Sequence, residues 1–222
     1  MNSTKLRFTS RELEFVRRLN TPQLVQKFLN QLPYNNEPPP RRPTLRSFRS
    51  VLNHWNAHCM EAALAAAVIL ECHGYPPLVM SLESADQLDH VLFIYRWRQY
   101  WGSVARSRDP GLHGRKPVFR SARNLALSYV DPYVDMTGRI TGYAVVDLRV
   151  LGRYDWRLSK HNVWKAERLL QDTPHRQIRS SDRRIDHLRR RFKNFKGQHP
   201  DQKPMHYKGQ EKWSEIPREF KT

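Results

Sequence analysis

A chain of 222 residues has room for one sizeable core with extensions, and six Trp, nine Tyr and nine Phe can fill it although only 39% of residues are hydrophobic. The formal charge of +18 would attract nucleic acid, anionic membrane or acidic protein, yet the excess runs along the whole chain: 14 basic against 6 acidic residues from Thr173 onward, and net +10 before it. The longest apolar run, Ala62 to Leu70, is too short to span a bilayer, and no apolar signal segment opens the chain, so a cytoplasmic protein without membrane contact is expected.

The chain begins with two helix starts. Thr9-Ser10-Arg11-Glu12 has capping-box spacing before LEFVRRL, and Thr21-Pro22 places a cap and a first-turn proline before LVQKFLNQL. The stretch from Pro33 to Thr44 (PYNNEPPPRRPT) reads as an extended connector. Residues 1–44 are thus a helical N-terminal segment.

A further helix begins between Leu45 and Cys59, carries the alanine-rich run and ends at Gly74, with Pro76 and Pro77 preventing its continuation. LVMSL follows as a strand. HVLFIYRW is apolar on both alternating faces, the pattern of a strand inside a covered sheet, and YWGSVARS is its antiparallel partner. A loop, RDPGLHGRKPVF, leads to a helix capped by Ser121 and running through ARNLALSYV. RITGYAVVDL is another strand, and Ser159 caps a closing helix, HNVWKAERLLQ. The order predicts an α+β fold: a central Ala-rich helix bearing Cys59, packed on an antiparallel sheet over residues 45–172.

Residues 173–222 form a basic tail with one amphipathic helix, SSDRRIDHLRRRFKNF, whose Ile185, Leu188 and Phe192 lay an apolar edge on the domain. The later residues have the composition of disorder. Weak, salt-sensitive polyanion binding is the expected role of this charge. No RNP, zinc-finger or basic-zipper pattern accompanies it.

Two cysteines are present, Cys59 and Cys72. On one helix they stand about 20 Å apart on nearly opposite faces and cannot bridge. Cys59 sits where a polar segment becomes the apolar helix, and the first turn of a helix favours a thiolate through its unpaired amides. His90, at the start of the central strand, is the candidate base. A hairpin looped at Arg98-Gln99 sets position 107 opposite 90, and one looped at Gln99-Tyr100 sets 109 opposite, so both Ser107 and Asp109 share the His90 face. Asp109 is the better orienter, because a carboxylate stabilises an imidazolium. Asn53, Trp55 and Trp101 are candidate oxyanion-hole or cleft residues. Against this stands the plain alternative of Cys59 as a buried packing residue. His54 and His58 lack the companions of a zinc site, so neither metal nor cofactor is expected.

The stretches HCMEAALAAA, LDHVLFIY and YWGSVARSRDP, with 31 positions from Cys59 to His90 and 19 more to Asp109, resemble the transglutaminase-like branch of the papain-type thiol enzymes. The likeness covers roughly residues 45 to 135 and, more loosely, TPQLVQKFLNQLPYN. It implies a Cys-His-Asp hydrolase or acyltransferase acting on a peptide or protein amide, and equally a relative that keeps the fold as a binding or scaffold protein. One departure bears on the third residue: the family's Trp-x-x-x-Asp-Pro pattern meets Ala105 after Trp101, and the Asp-Pro pair comes later, at Asp109-Pro110.

Overall fold

The structure is a computed structural model and describes residues 7–37 and 42–201. The middle of the proline-rich connector and the end of the basic tail lie outside the described residues. α1 (Ser10–Arg18) begins with the expected capping box, in which Thr9 Oγ1 accepts from Glu12 N–H at 3.2 Å and Glu12 Oε2 accepts from Thr9 N–H at 2.7 Å. α2 (Pro22–Gln31) is capped by Thr21. Between Leu45 and Glu71 the chain forms two helices, α3 (Phe48–His54) and α4 (Cys59–Glu71). The break is Trp55, which adopts the left-handed conformation, with φ at 54°.

A six-stranded antiparallel sheet follows: β1 (Leu78–Ser84), β2 (His90–Trp97), β3 (Tyr100–Val104), β4 (Arg115–Phe119), β5 (Ile140–Asp147) and β6 (Arg176–Gln177), in spatial order β4-β3-β2-β1-β5-β6. β2 lies inside the sheet and is buried on both faces, as its continuous apolar run predicts. Val91, Phe93 and Tyr95 pack against α4, while Leu92 and Ile94 face a second cluster with Leu125, Ala126 and Tyr129. Ala62, Ala63, Ala65, Ala66 and Ala67 are all fully buried, so α4 lies in the core on every side and its small side chains let it approach the sheet closely. Leu64, Val68, Ile69 and Leu70, equally buried, each contribute about 1.5–3 kcal/mol by leaving water.

Several boundaries differ from expectation. Arg115–Phe119 was expected in a loop but forms edge strand β4, where Pro117 is tolerated and the register with β3 is irregular. The helix after Ser121 is interrupted at Ser128, whose Oγ turns back to the Leu125 carbonyl at 2.7 Å, giving α5 (Ala122–Leu127) and the short α6 (Val130–Tyr133). Ser159 does not cap the closing helix: α7 runs Trp164–Asp172, with Val163 as its N-cap. The preceding residues are spent on the chain before α3, with Ser47 Oγ donating to the Ser159 carbonyl at 2.6 Å and Val163 N–H to the Leu45 carbonyl at 2.8 Å.

α8 (Asp182–Gln198) is the amphipathic tail helix. Ile185 and Leu188 are buried beside Val134. Two ion pairs fasten it: Arg184 reaches both Asp131 oxygens at 3.1 and 2.6 Å, and Arg139 meets Asp182 at 2.7 Å. Asp131, in α6, is therefore a buried ion-pair partner. Among the described residues no helix is long and apolar enough to cross a membrane.

Candidate active site

Cys59 is the first residue of α4, and His58 is its N-cap. Helix starts leave amides without intrahelical partners, so the Cys59 sulfur sits at the positive end of α4. The thiol is half-buried, with Sγ 3.9 Å from the Asp89 carbonyl oxygen. Burial by itself raises a thiol pKa. Here His58 and His90, which flank the sulfur, outweigh burial and hold Cys59 well below the usual thiol range.

His90 opens β2 and is 3% exposed. Its Nε2 lies 2.9 Å from the Leu112 carbonyl oxygen. A carbonyl only accepts, so Nε2 carries the proton and the lone pair of Nδ1 is left for the thiol. The β2–β3 hairpin has its two-residue loop at Arg98-Gln99, and its register, Phe93 opposite Val104, extrapolates to Ser107 opposite His90. β3 stops short of that point because Gln26 takes both polar groups of Ala105, accepting its N–H at 2.9 Å and donating to its carbonyl at 2.8 Å. Ser107 is buried, but its Oγ accepts from Asp109 N–H at 3.2 Å. Asp109 begins the 3-10 turn Pro110–Leu112. The hydrogen bond that fixes the His90 tautomer thus comes from the end of that turn, from a main-chain carbonyl in place of the expected carboxylate.

The turn is held from beneath by buried groups. Arg115 donates to the carbonyls of His113 and Gly111 at 2.6 and 2.7 Å, and its guanidinium stacks on the Tyr129 ring at 4.1 Å. Tyr129 donates to the His113 carbonyl at 3.0 Å and meets Ser103 Oγ at 2.7 Å. Each of these fixes where the Leu112 carbonyl points.

Two contributors escaped the sequence reading. His58 donates from Nε2 to the Thr44 carbonyl at 3.0 Å, while Nδ1 accepts from Met60 N–H at 3.3 Å when the ring is neutral. Burial opposes charging this ring, but Cys59 and then Glu61 and Thr44 favour it more, and its pKa is pushed up to about 9. Glu61, wholly buried, accepts from Thr44 Oγ1 at 2.8 Å, Arg46 N–H at 3.0 Å, His58 N–H at 3.1 Å and Asn35 Nδ2 at 3.3 Å. The pair H-x-x-E at 58 and 61 is a capping box hidden by a histidine at the cap.

Tyr34 is the second omission. Its segment runs beside the helix start, with Asn35 N–H donating to the Ala57 carbonyl and Ala57 N–H to the Pro33 carbonyl, both at 3.2 Å. Burial, then the charge on Cys59, keeps the Tyr34 hydroxyl protonated, while the Cys59 amide acts in the opposite sense. The phenol is therefore near enough to Cys59 to respond to the charge on its sulfur. No local motif announces it, because it lies 25 residues away within the polar connector.

The other candidates fall elsewhere. Asn53 is exposed on α3. Trp55 packs edge-on against Phe15 and Phe28, at 6.0 and 5.8 Å. Trp101 pairs with Arg96 near the opposite end of the hairpin from His90, with the Arg96 guanidinium 5.4 Å from its ring centre. Among the described residues no three His, Cys, Asp or Glu side chains are grouped to hold a metal ion.

No family model and no curated protein matches the chain. The chemistry of the site rests on its own residues.

Proposed function

We propose that the protein is a thiol acyl-transfer enzyme of the transglutaminase-like kind, with Cys59 as nucleophile and His90 as general base. The observation that carries the reading is a cysteine at a helix start flanked by two imidazoles, one of them held by the Leu112 carbonyl in the tautomer that offers Nδ1. Cys59 gives its thiol proton to Nδ1 of His90, and the thiolate attacks an amide carbonyl carbon, forming the S–C bond and an oxyanion. The Cys59 amide and the Tyr34 hydroxyl supply donors for that oxyanion. The imidazolium of His90 gives its proton to the leaving nitrogen as the C–N bond breaks, and a thioester remains. Water or an amine then loses its proton to His90 and attacks the thioester, releasing acid or new amide and regenerating the thiolate. His58, with its pKa pushed up to about 9, acts as a cation beside the sulfur, and its Nδ1 caps the Met60 amide only in the neutral ring.

Cys72 supplies an internal control. Partial burial, then Glu71, raises its pKa. In the whole protein, iodoacetamide at pH 7 is expected to label Cys59 at least tenfold faster than Cys72, with mass spectrometry separating the two. An activated acyl ester should leave a thioester on Cys59 that is lost in Cys59→Ser. Equal, slow labelling of both thiols would instead mark a scaffold that keeps the fold without the chemistry.

A further inference from the structure

Beyond the thiol site, α8 carries seven Arg and Lys against two Asp. Arg184, on the flank toward the domain, is neutralised by Asp131. Arg183, His187 and Arg190 recur at spacings of four and three, which lines them along one stripe of the helix over roughly 10 Å. All three are exposed, and among the described residues neither arginine has an ion-pair partner. With Ser181 and Arg184 they line an open groove of about 510 Å³.

The chemistry of the stripe narrows the partner. A membrane-lying helix needs an exposed apolar face, and the described part of α8 presents no large exposed hydrophobic residue. A protein partner needs an aromatic or aliphatic anchor at the centre of its contact, which the stripe also lacks. Single-stranded nucleic acid is held by stacking bases on aromatic rings, and the outer face has none beyond His187. What remains is contact with phosphates alone, for which guanidinium forks are matched in shape and charge. We infer that the outer stripe of α8, Arg183, His187 and Arg190, is a docking surface for the phosphate backbone of duplex nucleic acid, read without regard to sequence.

The surface is joined to the candidate active site. Arg184 holds Asp131 in α6, and Tyr133 of the same short helix donates to the carbonyl of Leu88, next to the Asp89 whose carbonyl lies beside Cys59 Sγ. The inference does not depend on the thiol chemistry.

The test uses the full chain and fluorescence anisotropy with a 20-base-pair duplex of DNA, the same duplex as RNA, a 20-nucleotide single strand, polyglutamate and vesicles containing phosphatidylserine, each at several salt concentrations. Arg183→Gln and Arg190→Gln are each expected to reduce the slope of log affinity against log salt by about 1, and the double variant to lose at least tenfold in duplex affinity at low salt. Both arginines are exposed, so thermal melting should not move, and Cys59 labelling should be unchanged. Which duplex binds more tightly assigns the nucleic acid as DNA or RNA within the proposal. The inference is overturned if the double variant binds duplex as wild type does, or if single strand, polyglutamate or vesicles bind more tightly than either duplex through the same two residues.

Discussion

Replacing His58 by Asn tests the electrostatics of the site with little disturbance of the helix, since Asn is a preferred N-cap and keeps an acceptor for the Met60 amide. The His58 pKa, pushed from 6.5 up to about 9, is displaced by roughly 2.5 units, or about 3.4 kcal/mol at ~1.36 kcal/mol per unit. Cys59 is the larger contributor, and Glu61 shares the rest, with its Oε1 3.7 Å from His58 Nε2. Reciprocity of the coupling requires the Cys59 pKa to rise when the cation is removed. The assay is the pH dependence of iodoacetamide labelling at Cys59. On the acid limb the thiolate fraction and the rate fall, whereas on the alkaline plateau the rate rises, because a thiolate of higher pKa is the better nucleophile. The two profiles must therefore cross. A variant whose profile superimposes on that of wild type, at unchanged melting temperature, would refute the assignment of His58 as a charge beside the sulfur.

Tyr129→Phe removes the donor to the His113 carbonyl and strands buried Ser103, so a loss of about 1–3 kcal/mol is expected by urea unfolding. Labelling of Cys59 should slow in the same variant at a temperature where it is fully folded, because the Leu112 carbonyl is no longer fixed. In Glu61→Gln the two donors that share one carboxylate oxygen meet an NH2 group, which predicts about 1–3 kcal/mol of destabilisation and a His58 pKa, followed by NMR, that falls from about 9. The His58–Cys59 pair also shapes stability against pH. Below about 6.5 the unfolded chain binds one proton more than the folded pair, so stability rises with pH; from there to about 8.5 each state binds one proton, His58 in the fold and the thiol in the unfolded chain, and the contribution is level. Above that the unfolded chain binds none, and stability falls as pH rises through about 9. The difference in unfolding free energy between wild type and a Cys59→Ser, His58→Asn double variant should show this plateau, and a monotonic difference would contradict it.

The elements that bury a long apolar pattern were readable from sequence: α4 from its alanine run, β2 from its unbroken apolar stretch, α8 from Ile185 and Leu188. Cys59 and His90 stand out as candidates because each sits where such a pattern begins. What the sequence hid is carried by main-chain groups and by distant residues. The Leu112 carbonyl has no side-chain signature, so spacing pointed to Asp109, the nearby carboxylate. Tyr34 reaches the site only through the bridge of its segment to Ala57. β4 was masked by Pro117, and the start of α7 by the hydrogen bonds that residues 159–163 make to the chain before α3.

The kink at Trp55 also gives Cys59 its helix end. Had α3 run on into α4, Cys59 would lie within a continuous helix, its amide consumed and its sulfur without the helix-end field. A bulky residue in the left-handed region costs about 1–3 kcal/mol and persists only where its surroundings enforce it. Here the enforcement comes from Phe15 of α1 and Phe28 of α2, which grip the indole. The acidity of Cys59 thus leans on two rings, from α1 and α2, that touch neither its sulfur nor His90. A thiol on one helix is tuned by the seating of an indole at the end of another.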